Sequence, residues 1–171
     1  MNGKRKVDDN IMYLGLGSNL GDRITNLRRA LSLLTPDILV EKISPVYETK
    51  PQHIVDQPLF LNAVCSASTA LPPLEVLKHL KDIEQTMGRQ SGPRFGPRPI
   101  DIDILFYNDL VLDTPEITIP HPLVHERAFV LVPLKDVAPE FVHPTRGVTI
   151  SELLNRLPDY SGQVRKTLEI L

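Results

Sequence analysis

The chain has 171 residues, 42% of them hydrophobic, which suffices to bury the core of one domain. A formal net charge of −2 excludes chain-wide attraction to nucleic acid or to a membrane, so any anion site is local. The single cysteine, Cys65, excludes an intramolecular disulfide and a cysteine metal cluster, and its place in the apolar run Leu61 to Ala67 suits a reducing cytoplasm.

Residues 1–10 are polar and charged and read as a disordered tail, which leaves 11–171 as a single domain. Ile11 to Leu16 is apolar and meets the glycine-rich stretch Gly15 to Gly21, which predicts a buried strand, a tight turn with Ser18 and Asn19 as caps, and then a helix. A dinucleotide-binding turn is disfavoured there, because the third glycine falls at Gly21, one residue late for that fingerprint. From Asp22 onward Ile24, Leu27, Leu31 and Leu34 recur at helical spacing until Pro36. Ile38 to Val46 predicts a strand that continues toward Tyr47, followed by a polar loop from Thr49 to Gln57. Leu59 to Ala67 predicts the next strand. Pro72 and Pro73 suit a helix start, Val76, Leu80, Ile83 and Met87 mark its buried face, and Gly88 fits its C-terminal cap.

Arg89 to Pro99 combines arginines, glycines and prolines and predicts a basic loop, after which Ile100 to Tyr107 reads as a strand. Asn108-Asp109 looks like a hairpin turn into Leu110 to Leu112. Phe129 to Val137 is apolar and fits strand or helix, and Ser151 to Leu157 predicts a short helix capped by Ser151. The order β, α, β, β, α, β is that of the ferredoxin-like unit: an α+β fold with an antiparallel sheet and both helices on one face, here with C-terminal additions.

Asp101 and Asp103 stand two residues apart on a strand, so both carboxylates project from one face about 7 Å apart. Like charges that close are costly unless a cation sits between them, and oxygen-only ligation suits magnesium. A solvated outer strand face with alternating polar residues remains open on this pair alone. Arg89, Arg94 and Arg98 place cationic forks beside the pair, and such forks match phosphate oxygens. In Pro120-His121-Pro122 two prolines stiffen the chain around one imidazole, and Arg127 follows as a further phosphate ligand. Phe60 and Asn62 share a strand face, and with Phe129 they make an aromatic and amide set able to clamp a flat heterocycle.

Taken together, these motifs resemble the 6-hydroxymethyl-7,8-dihydropterin pyrophosphokinase family. The resemblance rests on Gly17-Ser18-Asn19-Leu20-Gly21, on Ser44, Tyr47 and Thr49, on Gln57-Pro58 with Leu61-Asn62-Ala63, and on Glu84 with Gly88-Arg89. It continues through Arg94-Phe95-Gly96-Pro97-Arg98-Pro99-Ile100-Asp101-Ile102-Asp103, then Pro120-His121-Pro122, Arg127 and Phe129. The resemblance implies a transfer of diphosphate from ATP to the pterin in folate biosynthesis, with the product passed to dihydropteroate synthase. It implies Arg89, Arg98, Asp101 and Asp103 as catalytic, and Asp101 and Asp103 as ligands of two magnesium ions. ATP would meet Glu84, Arg89, Arg94, Phe95, Arg98, His121 and Arg127, and the pterin would meet Thr49, Phe60, Asn62, Asp101 and Phe129. Phe95 and Phe60 stand where the family often has tryptophan and tyrosine, and Lys50 and Gln52 stand where it commonly has apolar residues. A cytoplasmic monomer or weak homodimer without nucleic-acid or membrane partners is expected. The competing readings are a ferredoxin-like RNA-binding module and a non-catalytic nucleotide-binding relative.

Overall fold

The first apolar run becomes strand β1 (Asn10–Ser18), which starts at Asn10 and continues straight through Gly15 and Gly17. The stretch from Gly15 is therefore strand, and the turn is confined to the residues after Ser18. In this computed structural model residues 9–52, 56–89 and 96–171 are described. Helix α1 (Arg23–Leu34) is capped by Asp22, whose carboxylate accepts from the Thr25 amide at 3.1 Å, so neither Ser18 nor Asn19 is the cap. Leu27, Ala30 and Leu34 are its buried stripe.

Where one strand is expected over Ile38 to Val46, two form: β2 (Ile38–Ile43) and β3 (Tyr47–Thr49). Pro45 has no amide proton to give a ladder, and Ser44 bridges the gap. Its amide donates to the Val64 carbonyl at 2.9 Å, and its Oγ accepts from the Val64 amide at 3.0 Å. Both short strands run antiparallel to β4 (Phe60–Thr69), whose other edge pairs with β1 along its whole length. Helix α2 (Pro73–Thr86) begins with proline at its first position and buries Val76, Leu80 and Ile83. Strand β5 (Asp101–Tyr107) pairs with the outer side of β1.

Two expectations fail downstream. Asn108 adopts positive φ in a turn, but the chain beyond it does not fold back on β5; β6 (Leu112–Asp113) pairs with β7 (Thr118–Ile119) in a separate ribbon. The apolar run after Arg127 is helix α3 (Ala128–Val137), and α4 (Ile150–Asn155) is capped by Thr149 with Glu152 in a reciprocal capping box, not by Ser151. A last strand, β8 (Val164–Lys166), pairs with β3 at the sheet margin and had no hydropathic signature.

The main sheet runs β5, β1, β4, β3, β8, with β2 on β4 beside β3, and every pairing is antiparallel. Alternation along the strands splits the core in two. Leu14, Leu16, Cys65, Ile102 and Ile104 pack under α1 and α2 on one face. Val64, Leu105 and Phe106 pack under α3 and α4 on the other. Thus α1 and α2 share one face as expected, and the C-terminal additions cover part of the second. Among the described residues no helix is long and apolar enough to cross a membrane.

His143 is buried in the second core, edge-on to Phe106 with ring centroids 5.3 Å apart. Burial, then the charges of Arg146 and His125, lower its pKa to about 4. Folded His143 therefore resists a proton that the unfolded chain accepts near pH 6.5, so stability falls as pH drops through that window and levels off near 4. The urea midpoint of His143→Gln is expected to fall less between pH 7 and pH 5 than that of the wild type. Equal slopes would show that His143 takes no part in the acid response.

Candidate active site

The face of the sheet that α3 leaves uncovered is built from strand register. Across β1 and β5, Gly17 lies opposite Asp101 and Gly15 opposite Asp103; across β1 and β4, Gly17 lies opposite Asn62. Asn62 in turn pairs with Tyr47, and Phe60 with Thr49. One row therefore reads Asp101, Gly17, Asn62, with the carboxylate and the amide about 10 Å apart across two strand spacings. Gly17 keeps the floor between them open: a Cβ there would lie 2.7 Å from Asn62 Oδ1. The two glycines, read from sequence as a turn, are instead the bottom of a cavity of about 820 Å³. That volume is in the range of ligand sites.

Thr49, Phe60, Asn62, Arg89, Arg98, Asp101, Asp103, His121, Arg127 and Phe129 all line this cavity. Arg94 and Phe95 lie outside the described residues. Glu84 is placed differently from expectation: it is buried behind the wall, not in the cavity. Its Oε1 accepts from the Ile102 amide at 2.8 Å, and its Oε2 pairs with Lys81 at 2.9 Å and Arg89 at 2.7 Å. It thereby ties α2 to β5 and holds the guanidinium that reaches the site.

The acidic side of the cavity is electrostatically loaded. Asp101 faces two cations: Arg89 Nη1 is 2.6 Å from its Oδ1, and Arg98 Nε is 3.3 Å from its Oδ2. Burial pulls the Arg89 pKa down, but the charges of Asp101 and Glu84 outweigh it and hold the guanidinium above its usual value. Asp103 is pushed up to about 6, first by burial and then by the charge of Asp101. A buried carboxylate so raised by a like-charged neighbour is the environment that a bound cation relieves. Among the described residues no group of three or more His, Cys, Asp or Glu could hold a metal, and the carboxylates among the described residues that line the cavity are Asp101 and Asp103. That donor set fits magnesium, which keeps waters and substrate phosphates as its remaining ligands.

The basic side is built for an anion. Arg98 Nε, at ion-pair range but misaligned for a hydrogen bond, and Arg127 Nε are both buried without a hydrogen-bond partner among the described residues. Buried donors of this kind call for an acceptor from outside. The Arg98 guanidinium lies 5.7 Å from the Phe60 ring centroid and that of Arg127 lies 5.5 Å from Phe129, so each arginine braces one aromatic wall. His121 is lowered to about 4, mainly by burial and then by Arg127, and is neutral at physiological pH. Its Nδ1 accepts from the Leu123 amide at 3.1 Å, which leaves the proton on Nε2 as a donor. On the opposite side Asn62 Nδ2 donates to Thr49 Oγ1 at 2.6 Å, fixing an amide beside Phe60.

Sequence reasoning missed Gly15 and Gly17 as floor residues, because what makes glycine necessary lies on neighbouring strands.

Residues 13–139 match the family model described as 7,8-dihydro-6-hydroxymethylpterin-pyrophosphokinase (HPPK). The chain is similar to a 2-amino-4-hydroxy-6-hydroxymethyldihydropteridine pyrophosphokinase of Aquifex aeolicus, with 44% identity over 133 residues, 78% of this chain and 83% of that one. It is 45% identical over 151 residues to the folic acid synthesis protein FOL1 of Dictyostelium discoideum, covering 88% of this chain. The match spans only 23% of that longer protein. Among solved structures it resembles the Plasmodium falciparum HPPK-DHPS wild type with pterin and p-hydroxybenzoate. There the TM-score is 0.70 at 21% identity, over 91% of this chain and 42% of that one, a likeness of fold.

Proposed function

The chain belongs to the 7,8-dihydro-6-hydroxymethylpterin-pyrophosphokinase family, and on that premise we propose that it transfers the diphosphoryl group of ATP to 6-hydroxymethyl-7,8-dihydropterin in folate biosynthesis. The row Asp101, Gly17, Asn62 carries this reading, because it sets a phosphate-and-metal half and a heterocycle half on one open floor. In the reaction the pterin hydroxymethyl oxygen bonds to the β-phosphorus, the bond from that phosphorus to the oxygen bridging the α-phosphate breaks, and AMP leaves. No protein nucleophile is required, so positioning and charge neutralisation supply the rate.

Asp101 and Asp103 would hold magnesium, two ions with ATP, which would supply positive charge against the phosphates. Arg98 and Arg127 supply buried donors that lack a hydrogen bond among the described residues, for phosphate oxygens, and Arg89 adds a guanidinium already fixed by Glu84. Neutral His121 donates through Nε2. The pterin edge bonds to the Asn62 amide, its plane lies against Phe60 and Phe129, and Asp101, at the other end of the row, takes the hydroxyl proton. The product then serves a dihydropteroate synthase. The RNA-binding alternative needs an open sheet face, whereas α3 packs on β4 and narrows that face to a cavity.

The test is incubation with ATP, magnesium and 6-hydroxymethyl-7,8-dihydropterin, separating nucleotides by chromatography. AMP is expected in equal amount to pterin diphosphate. Release of ADP, or turnover that ignores the pterin, overturns the reading.

A further inference from the structure

Strand β3 brings Thr49 to the cavity on three residues, Tyr47 to Thr49, and its last rung with β4 pairs Thr49 with Phe60. Tyr47 and Thr49 share a face with their partners Asn62 and Phe60. Glu48 between them therefore points to the opposite face, where its partner Leu61 packs in the core under α1 and α2. There its carboxylate is gripped from two sides. Arg23, the first residue of α1, brings Nη2 to 3.1 Å from Glu48 Oε2, and Arg165 of β8 brings Nη2 to 2.7 Å from Oε1. The other arm of Arg23, Nη1, donates to the Leu59 carbonyl at 2.8 Å. One guanidinium thus ties the end of β3 to the residue that precedes Phe60. Arg23 and Glu48 stand behind the cavity wall, not in it.

What this clamp fixes is the acceptor for Asn62. Asn62 Nδ2 donates to Thr49 Oγ1 at 2.6 Å, so the plane of that amide follows the position of Thr49. A three-residue strand at the end of its ladder frays unless it is tied down. Tyr47 Oη donates to Asp136 Oδ2 of α3 at 2.6 Å and pins the start of the strand from the cavity face; Glu48 pins its end from the other. The two ion pairs differ in weight. The Arg165 side chain is 79% exposed, where an ion pair is worth little. That of Arg23 is 30% exposed and holds a backbone carbonyl as well, so Arg23 carries the clamp.

We propose that Glu48 is a positioning residue for the heterocycle half of the cavity: held by Arg23, it fixes Thr49 and, through it, the Asn62 amide that meets the pterin edge. The nucleotide half does not depend on it. The inference rests on the proposed function for the identity of the ligand.

The test uses calorimetry, without turnover, on wild type, Glu48→Ala, Glu48→Gln and Arg165→Ala, with thermal melting of each. It measures affinity for a non-hydrolysable ATP analogue with magnesium, and then affinity for the pterin at saturating analogue. In Glu48→Ala pterin binding weakens about tenfold, the scale of one lost charge-assisted hydrogen bond, while affinity for the analogue stays within about twofold. Steady-state kinetics show the same split: KM for the pterin rises and kcat changes little. Glu48→Gln keeps an oxygen for Arg23 and restores most of the loss, and Arg165→Ala stays near wild type. If Glu48→Ala does not fold, Arg23→Ala decides, with the same split expected. A folded variant that binds the pterin as wild type does overturns the proposal. So does an equal loss of pterin and analogue, which makes Glu48 a general scaffold residue. A wild type that binds no pterin is a different result, which overturns the function and this inference together.

Discussion

Asp103→Ala lowers pterin-dependent AMP release by about three orders of magnitude, equivalent to ~4 kcal/mol of lost transition-state stabilisation, and leaves the fold intact. The loss follows from the donor count. With two carboxylates among the described residues that line the cavity, removing one would halve the protein's hold on a cation that would offset charge on the transferring phosphates. The fold survives because Asp103 is expensive where it stands: burial and the neighbouring Asp101 already raise its pKa to about 6. Taking away a carboxylate that is costly to ionise relieves the apo protein, so the melting temperature without magnesium should equal or exceed that of the wild type. Adding magnesium and ATP should then raise the melting temperature of the wild type and move the variant far less. Activity within tenfold of wild type would remove Asp103 from the metal site, and a collapsed melting temperature would assign it to the scaffold. Asp101→Ala is a less clean probe, since it also frees Arg89 and Arg98.

What could be read from the sequence divides along the range of the forces involved. The paired aspartates were legible because a two-residue period is local and forces both onto one face, as the register with Gly15 and Gly17 bears out. The helices α1 and α2 were legible for the same reason, through their apolar stripes. The glycines were misread because composition cannot separate a turn from a floor; only Asn62 and Leu105 on adjacent strands distinguish the two. The break between β2 and β3 was hidden until Ser44 was seen to take up the pairing that Pro45 interrupts. Helix α3 gave no usable period because Val130, Leu131, Pro133, Leu134 and Val137 are buried nearly all round. Strand β8 is short and largely polar and pairs with β3 at the sheet margin, so it left no hydropathic trace. Glu84 was found by resemblance, but its position behind Arg89 required tertiary contacts.

That position separates structure from chemistry at Arg89. Its Nη1 lies 2.7 Å from Glu84 Oε2 and 2.6 Å from Asp101 Oδ1, with the Glu84 side chain 2% exposed. Arg89→Ala leaves that carboxylate buried with Lys81, itself 46% exposed, as its remaining counter-charge among the described residues. Breaking such a buried pair from one side costs about 3 kcal/mol of stability, and removing a guanidinium from the phosphate wall costs kcat/KM for ATP about 10² to 10³-fold. The two losses need not travel together. In Arg89→Ala combined with Glu84→Gln, the neutral amide still accepts from the Ile102 amide, and no unpaired buried charge remains. Most of the stability should return, read as the urea midpoint, while kcat/KM stays low because the cavity still lacks its third guanidinium. If activity recovers along with the midpoint, Arg89 acts only by holding α2 to β5, and Arg98 and Arg127 are the guanidinium groups left for phosphate among the described residues.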